Sequence, residues 1–198
     1  MGLNPEATFD CLFIGDRLAS EARTLAASEF HLFAYLGCLL WLYDRMPVSD
    51  WGYEFVGTEL GAPYSQDIDQ ALRLLAERGY LATTDERLSI TTTGLDALHD
   101  LSMLSINEGR VERLRAACAS TAALSMGMVG CALTEEPELR RARAIPMSRR
   151  LLEESGQTQL YLQFDALRGA LQGTGADLRV PAVVWLQALY RAAQQVER

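Results

Sequence analysis

Lysine is absent from the 198 residues, and all 18 basic side chains are arginine. That excludes the phosphate-gripping lysine of a Walker A loop, Schiff-base catalysis and attachment of pyridoxal phosphate. Histidine is nearly as scarce, with only His31 and His99. A Ser-His-Asp or Cys-His triad has to draw on one of these two, and a histidine-rich metal site is excluded. His31 lies in an apolar helical stretch and reads as a core histidine, whereas His99 lies beside Asp96 and Asp100 and reads as a surface ion-pair partner. The motifs G-x-G-x-x-G, G-x-S-x-G and H-E-x-x-H do not occur. The four cysteines, Cys11, Cys38, Cys118 and Cys131, contain no C-x-x-C pair, and three fall in apolar stretches as reduced core thiols do. The adjacent carboxylates Glu135-Glu136 and Glu153-Glu154 do not face each other on a helix, so neither pair makes a shared acid/base site. The expectation is a protein with no catalytic residue, no cofactor, no metal and no enzymatic activity.

Long hydrophobic runs are also few. Residues 116–134 run 19 positions without a charge, about the length of a bilayer span. They consist of Ala, Ser, Thr, Gly and Cys more than Leu, Ile or Phe, the composition of a buried helix whose neighbours approach closely. The first ten residues carry Glu6 and Asp10 and no basic start, so no secretory signal is expected and the location is read as cytoplasmic. With 49% apolar and 22% charged residues the composition is that of an ordinary globular chain. A chain this long buries about 70% of its unfolded surface, so its core needs no staple.

Residues 1–28 read as a lead-in, with a short strand over 9–14 and a short helix over 17–27. Ser28 is the expected cap of a helix from Glu29 to about residue 45. Its apolar residues, among them Phe30, Phe33, Leu36 and Leu40, cover more than half the circumference, as in a helix buried on several sides. Pro47 ends that helix, and Ser49 opens a short second one carrying Trp51, Tyr53, Phe55 and Val56. Ser65 is the expected cap of a third helix over 66–78, with Ile68, Leu72 and Leu75 on one face and Gly79 closing it. Two β-rich runs, 80–84 and 88–92, flank the polar tip Asp85-Glu86-Arg87 in a hairpin pattern. A helix follows from about Thr93. Residues 108–198 read as all helix: one long or broken helix over 110–133 interrupted at Gly127 or Gly130, then a charged stretch over 135–146. A helix opened by Arg149 and Arg150 comes next, then one over 158–171, and a last one with Pro181 at its first position.

Three helices, a two-stranded wing and a helix are the order of a winged helix-turn-helix. The segment Leu72-Arg-Leu-Leu-Ala-Glu-Arg-Gly-Tyr-Leu81, with Leu88-Ser-Ile-Thr-Thr-Thr-Gly-Leu95, resembles the family pattern L-x-x-L-x-x-x-G-[YL]-[LI] … [YL]-x-[LI]-T-x-x-G of MarR- and PadR-type winged helices. The resemblance covers about residues 29–107. It implies a mainly α fold, with an N-terminal winged helix over 29–107 and a helical domain over 108–198. On this resemblance the recognition helix presents Ser65, Gln66, Asp67, Asp69, Gln70 and Arg73, and the wing tip is Asp85, Glu86 and Arg87. The same module binds DNA or protein.

Charge separates those two uses. Residues 29–107 carry twelve acids and four arginines, whereas residues 108–150 carry five acids and eight arginines. A winged helix that binds DNA neutralises several phosphates with cations, and here it is the most acidic part of the chain. Arg140, Arg141, Arg143, Arg149 and Arg150 form one basic cluster, which reads either as a contact for nucleic acid or an acidic partner, or as a solvated segment balancing the acidic neighbour. An acidic winged helix with an appended helical region also resembles the winged-helix accessory subunits of SMC–kleisin assemblies. It is similar, too, to the small middle components that accompany SMC/ABC-type ATPases in bacterial three-component defence operons. That resemblance implies a non-enzymatic adaptor in a bacterial multi-protein complex for antiphage defence or chromosome handling, with an ATPase or effector subunit as partner. DNA is then reached only through the complex or the arginine cluster, no membrane is involved, and a homodimer stays open. The alternative is a dimeric MarR/PadR-like DNA-binding transcription regulator.

Overall fold

The computed structural model describes residues 4–19, 22, 24–144, 149–172 and 177–196. The chain is mainly helical, with two small antiparallel sheets. In order it forms α1 (Pro5–Leu18), β1 (Leu25–Ala26), α2 (Ala27–Tyr43), β2 (Val56–Gly57), β3 (Pro63–Tyr64), α3 (Gln66–Glu77), β4 (Leu81–Thr84), β5 (Arg87–Ile90) and α4 (Thr92–Ser102). Then come α5 (Glu108–Ala119), α6 (Met126–Leu133), α7 (Pro137–Arg143), β6 (Arg149–Arg150), α8 (Glu154–Ala170) and α9 (Arg179–Val196). One sheet has the order β1-β5-β4, the other β3-β2-β6.

The expected strand over 9–14 is instead part of α1. Asn4 caps this helix by accepting the Ala7 N–H at 2.9 Å, and Pro5 fits its first turn, where the missing N–H has no helical partner in any case. Phe9 through Gly15 are all buried, so no polar face marks the helical period. The expected helix over 17–27 is replaced at its end by β1, which pairs Leu25 with Leu88 and Ala26 with Arg87. Next comes α2, which begins earlier than expected because the Glu29 carboxylate, not Ser28, holds its start by accepting the Ala26 N–H at 2.6 Å. Eleven of its seventeen residues are buried, and α1, α3, α5 and α8 pack around it in one continuous apolar core.

The expected helix opened by Ser49 is only a 3-10 turn, Val48–Trp51, ended by Gly52 at φ 90°. The chain bends at Gly52 and Tyr53 before β2, and from the end of the turn onward Trp51, Tyr53 and Phe55 are buried while Gly52 and Glu54 are exposed. That alternation is the period of a strand. The helix α3 buries Ile68, Ala71, Leu72 and Leu75, as expected. Its end is a Schellman turn, in which Tyr80 N–H donates to Leu75 O and Gly79 N–H to Ala76 O, with Gly79 at φ 76°. The β4–β5 hairpin turns through Asp85 and Glu86, both left-handed. Gly94 serves closeness instead of conformation: a Cβ there would stand 2.3 Å from Tyr80 O.

The uncharged stretch bends by 115° between the helical run Ser105–Ala122 and α6. The break falls at 120–125, not at Gly127 or Gly130, which lie inside α6. Hydroxyls satisfy the freed backbone: Ser120 donates to Ala117 O, Thr121 to Cys118 O, and Ser125 accepts from Met128 N–H. Among the described residues no single helix is long and apolar enough to cross a membrane. The expected helix at Arg149 and Arg150 is the strand β6, paired with β2 as Gly57 to Arg149 and Val56 to Arg150.

A charged pair lies inside this core. Asp10 on α1 is fully buried and Arg110 on α5 is 4% exposed. Arg110 Nε and NH2 donate to the two carboxylate oxygens at 2.7 and 2.9 Å, and NH1 donates to Trp51 O at 2.8 Å. Tyr53 donates its hydroxyl to the same carboxylate, and the guanidinium lies 4.0 Å from the centre of the Trp51 ring. Removing one partner strands the other in the core. We expect Arg110→Met to lower the unfolding free energy by about 3–5 kcal/mol in urea titration, and a pairing of R110M with Asp10→Asn to cost less than the two single losses added together. Additive losses would show that the pair is not coupled.

Candidate functional site

The surface expected to carry recognition is built by α3 and the β4–β5 hairpin. Of its residues, Ser65 is withdrawn: it is 1% exposed, and its N–H donates to His31 Nδ1 at 3.2 Å. Gln66 is exposed and Asp67, Asp69 and Gln70 are half-buried on α3. Arg73 is not a free cation, because its guanidinium pairs with Asp69 one turn back at 2.5 Å. Arg87 does not belong to the wing tip. It sits in β5 and is drawn back against the start of α2, donating to Thr24 Oγ1 at 3.0 Å, Thr24 O at 2.7 Å and Glu29 at 3.2 Å. The tip presents Asp85 and Glu86 alone.

The basic cluster is likewise largely neutralised. Arg141 pairs with Glu138 at 3.0 Å, Arg143 with Glu135 at 3.3 Å, and Arg150 with Glu54 across the second sheet. Arg140, exposed on α7, and Arg149, half-buried in β6, make no ion pair among the described residues. Sequence spacing put five arginines together, but carboxylates meet three of them: Glu135 just before α7, Glu138 inside it and Glu54 from a distant segment. Over residues 29–107 the balance is the reverse. Among the described residues eight of the twelve acids make no ion pair, Asp67, Glu77, Asp85, Glu86, Asp96 and Asp100 among them. Of the four arginines there only Arg78 makes none. His99 is exposed and forms no ion pair with Asp96 or Asp100, contrary to expectation.

Two features escaped the sequence. One is a run of exposed apolar side chains after the β4–β5 hairpin: Leu95, Met103, Leu104 and Ile106, of which Met103 and Ile106 are 76% and 75% exposed. The other is a cleft of about 940 Å³ between residues 47–55 and 150–157. Its apolar walls include Tyr53, Phe55, Leu151 and Leu152, and its charged rim holds the Glu54–Arg150 pair with Glu153 and Glu154. It contains no histidine or cysteine, and the Tyr53 hydroxyl is committed to Asp10. Among the described residues no group of three His, Cys, Asp or Glu side chains is placed to hold a metal ion. Cys11, Cys38 and Cys118 are buried free thiols held well above their usual range by burial, and Cys131 is exposed.

Two buried titratable groups work in opposition. His31 is buried against Tyr64, with ring centres 4.9 Å apart, and burial pushes it down to about 4. Glu136, expected on a polar turn, is fully buried and caps α7. It accepts from Glu138 N–H at 3.0 Å, Leu139 N–H at 2.8 Å and the Tyr35 hydroxyl at 3.1 Å, yet burial still pushes it up to about 7.

Comparison with known protein families, curated proteins and solved structures finds no match to this chain.

The linkage has a definite sign for each group. Glu136 contributes stability in full below its unfolded value of 4.5, and the contribution is lost as pH rises toward 7. His31 contributes in full above its unfolded value of 6.5, and the contribution is lost as pH falls toward 4. Between 4.5 and 6.5 the two slopes oppose. In urea denaturation across this range, Glu136→Gln should convert a nearly level profile into one that rises with pH, and His31→Gln into one that falls. A stability difference between wild type and E136Q that does not change with pH would refute the assignment to Glu136.

Proposed function

We propose that this chain is a non-enzymatic protein-interaction subunit, built on a winged helix and acting as the adaptor of a bacterial multi-protein complex. The succession α1, β1, α2, α3, β4, β5 with sheet order β1-β5-β4 supports the winged-helix reading, with residues 44–65 inserted between α2 and α3. The observation that carries the functional reading is the state of the cations on that module. Arg73 is tied to Asp69, Arg87 to Thr24 and Glu29, and the turn between β4 and β5 shows only Asp85 and Glu86. Binding to a duplex draws its affinity from cations that displace phosphate counterions, and here carboxylates stand in their place. The resemblance to winged-helix accessory subunits of ATPase complexes makes an SMC/ABC-type ATPase or an effector subunit the expected partner. A role in antiphage defence or chromosome handling is part of the same proposal.

The rival, a dimeric DNA-binding regulator, is left within residues 29–107 with Arg78 at the end of α3, and outside them with Arg115, Arg140, Arg149 and Arg191, which make no ion pair among the described residues. The two separate in a titration of the purified chain with random duplex DNA, read at low and at physiological salt. An adaptor shows no saturable binding in the range of about 10⁻⁴ to 10⁻⁶ M at physiological salt, and it retains a stoichiometric protein partner when tagged and recovered from its native host. Tight DNA binding that falls steeply with salt and is lost in R78A/R140A, with no protein recovered, would establish the regulator instead.

A further inference from the structure

The segment between Arg87 and Arg110 has no lysine or arginine over 22 residues, and it carries Asp96, Asp100 and Glu108. Both flanking arginines are turned inward, Arg87 onto Thr24 and Glu29 and Arg110 onto Asp10. The three acids are exposed and make no ion pair among the described residues. On α4, Leu98 is buried and Leu101 packs on the core, whereas Leu95 stands on an outward ridge. Leu95, His99 and Met103 follow one another at one-turn spacing, so the exposed imidazole stands between the two apolar side chains, and Asp96 and Asp100 form the adjacent ridge. Past the helix end, Leu104 and Ile106 extend the apolar surface, half or more of each side chain being exposed. Two apolar side chains flanking His99, beside an acidic ridge with no lysine or arginine in the segment, are complementary to one kind of helix.

We infer that the α4 ridge, Leu95 through Ile106, is the docking site for a basic amphipathic helix of the partner, its apolar face on Met103 and Ile106 and its cations on Asp96 and Asp100. This rests on the protein-interaction reading above and names the chemistry of the partner. Contact between apolar side chains supplies most of the affinity. The unpaired carboxylates choose the sign of the partner and hasten its approach. A duplex is repelled by the same carboxylates.

The test uses two synthetic helices about 18 residues long, about five turns each, with leucine on one face and either lysine or glutamate on the other. They are titrated into the full chain. The lysine peptide binds at one site with an affinity that falls as salt shortens the screening length, and the glutamate peptide does not bind. Met103→Ser with Ile106→Ser weakens the lysine peptide about tenfold or more. Asp96→Asn with Asp100→Asn weakens it several-fold, while Glu153→Gln with Glu154→Gln, away from the ridge, leaves it unchanged. All three variants alter exposed side chains and keep the thermal midpoint of the parent. Equal binding of both peptides, or an affinity indifferent to M103S/I106S, overturns the proposal. So does a dimer of the free chain that M103S/I106S converts to a monomer, since a second copy then covers the ridge. Recovery from the native host separates the two levels. A protein partner kept by wild type and lost by M103S/I106S supports the site, one kept by both removes the site and leaves the adaptor standing, and none with either removes the adaptor as well.

Discussion

The pairing of Asp10 with Arg110 is the contact on which the rest of the arrangement turns. Neither charge has access to water, so each must be matched within the core or the fold pays the full desolvation of an ion. The match is complete only when three distant segments are in place. The carboxylate comes from α1, the guanidinium from α5, and the Tyr53 hydroxyl and Trp51 carbonyl from the segment after the 3-10 turn. Sliding α1 by one turn along α5 would strand both charges, whereas apolar side chains tolerate such a slip. The pair therefore sets the register of α1 against α5, which is why Pro5–Leu18 belongs to the core.

A second polar knot holds the other end. The helix α7 has seven residues, too few to bury a large apolar face of its own. It is fixed by Glu136, which caps it while accepting from Tyr35 of α2, and by Arg141 and Arg143 on Glu138 and Glu135. The strand β6 is fixed in a similar way, by Arg150 on Glu54 beside its pairing with β2. The arginine cluster is thus mainly an internal clasp between residues 54–57 and 135–150. Because Glu136 is ionised only at the cost of burial, the clasp and His31 give the fold two opposed responses to pH.

Much of the middle of the chain could be read from sequence, and the reasons are local. Ile68, Leu72 and Leu75 recur at helical spacing, Gly79 ends their helix, and β-rich runs flank a polar turn. The first helix was hidden because Phe9 through Gly15 are buried all round and leave no periodic signal; Asn4-Pro5 was the available mark. The alternation of Trp51, Tyr53 and Phe55 was also present, but Ser49 and Asp50 ahead of it mimic a helix cap. The strand β6 has two residues and a partner more than ninety positions away, so nothing local announces it. Charged residues were legible as composition but not as surface. The Arg73–Asp69 pair is local, one turn apart on α3, but that Arg87 and Arg150 are paired is decided by tertiary neighbours.

The absence of lysine acquires a physical sense in this light. Arg110 lies over Trp51, Arg113 over Trp41, Arg168 over Tyr43 and Arg45 over Tyr161, and each also pairs with a carboxylate. Arg168 adds a bond to Tyr43 O, and Arg110 one to Trp51 O. A planar, weakly hydrated guanidinium can stack on a ring and donate to two oxygens at once, whereas an ammonium is a compact, strongly hydrated point charge. A chain of net charge −8 that commits many of its cations to carboxylates and ring faces leaves its surplus carboxylates facing water. Such a surface lowers the encounter rate with nucleic acid and raises it with basic protein segments. The same residues that hold the helices together therefore also help set the sign of the charge that the surface presents.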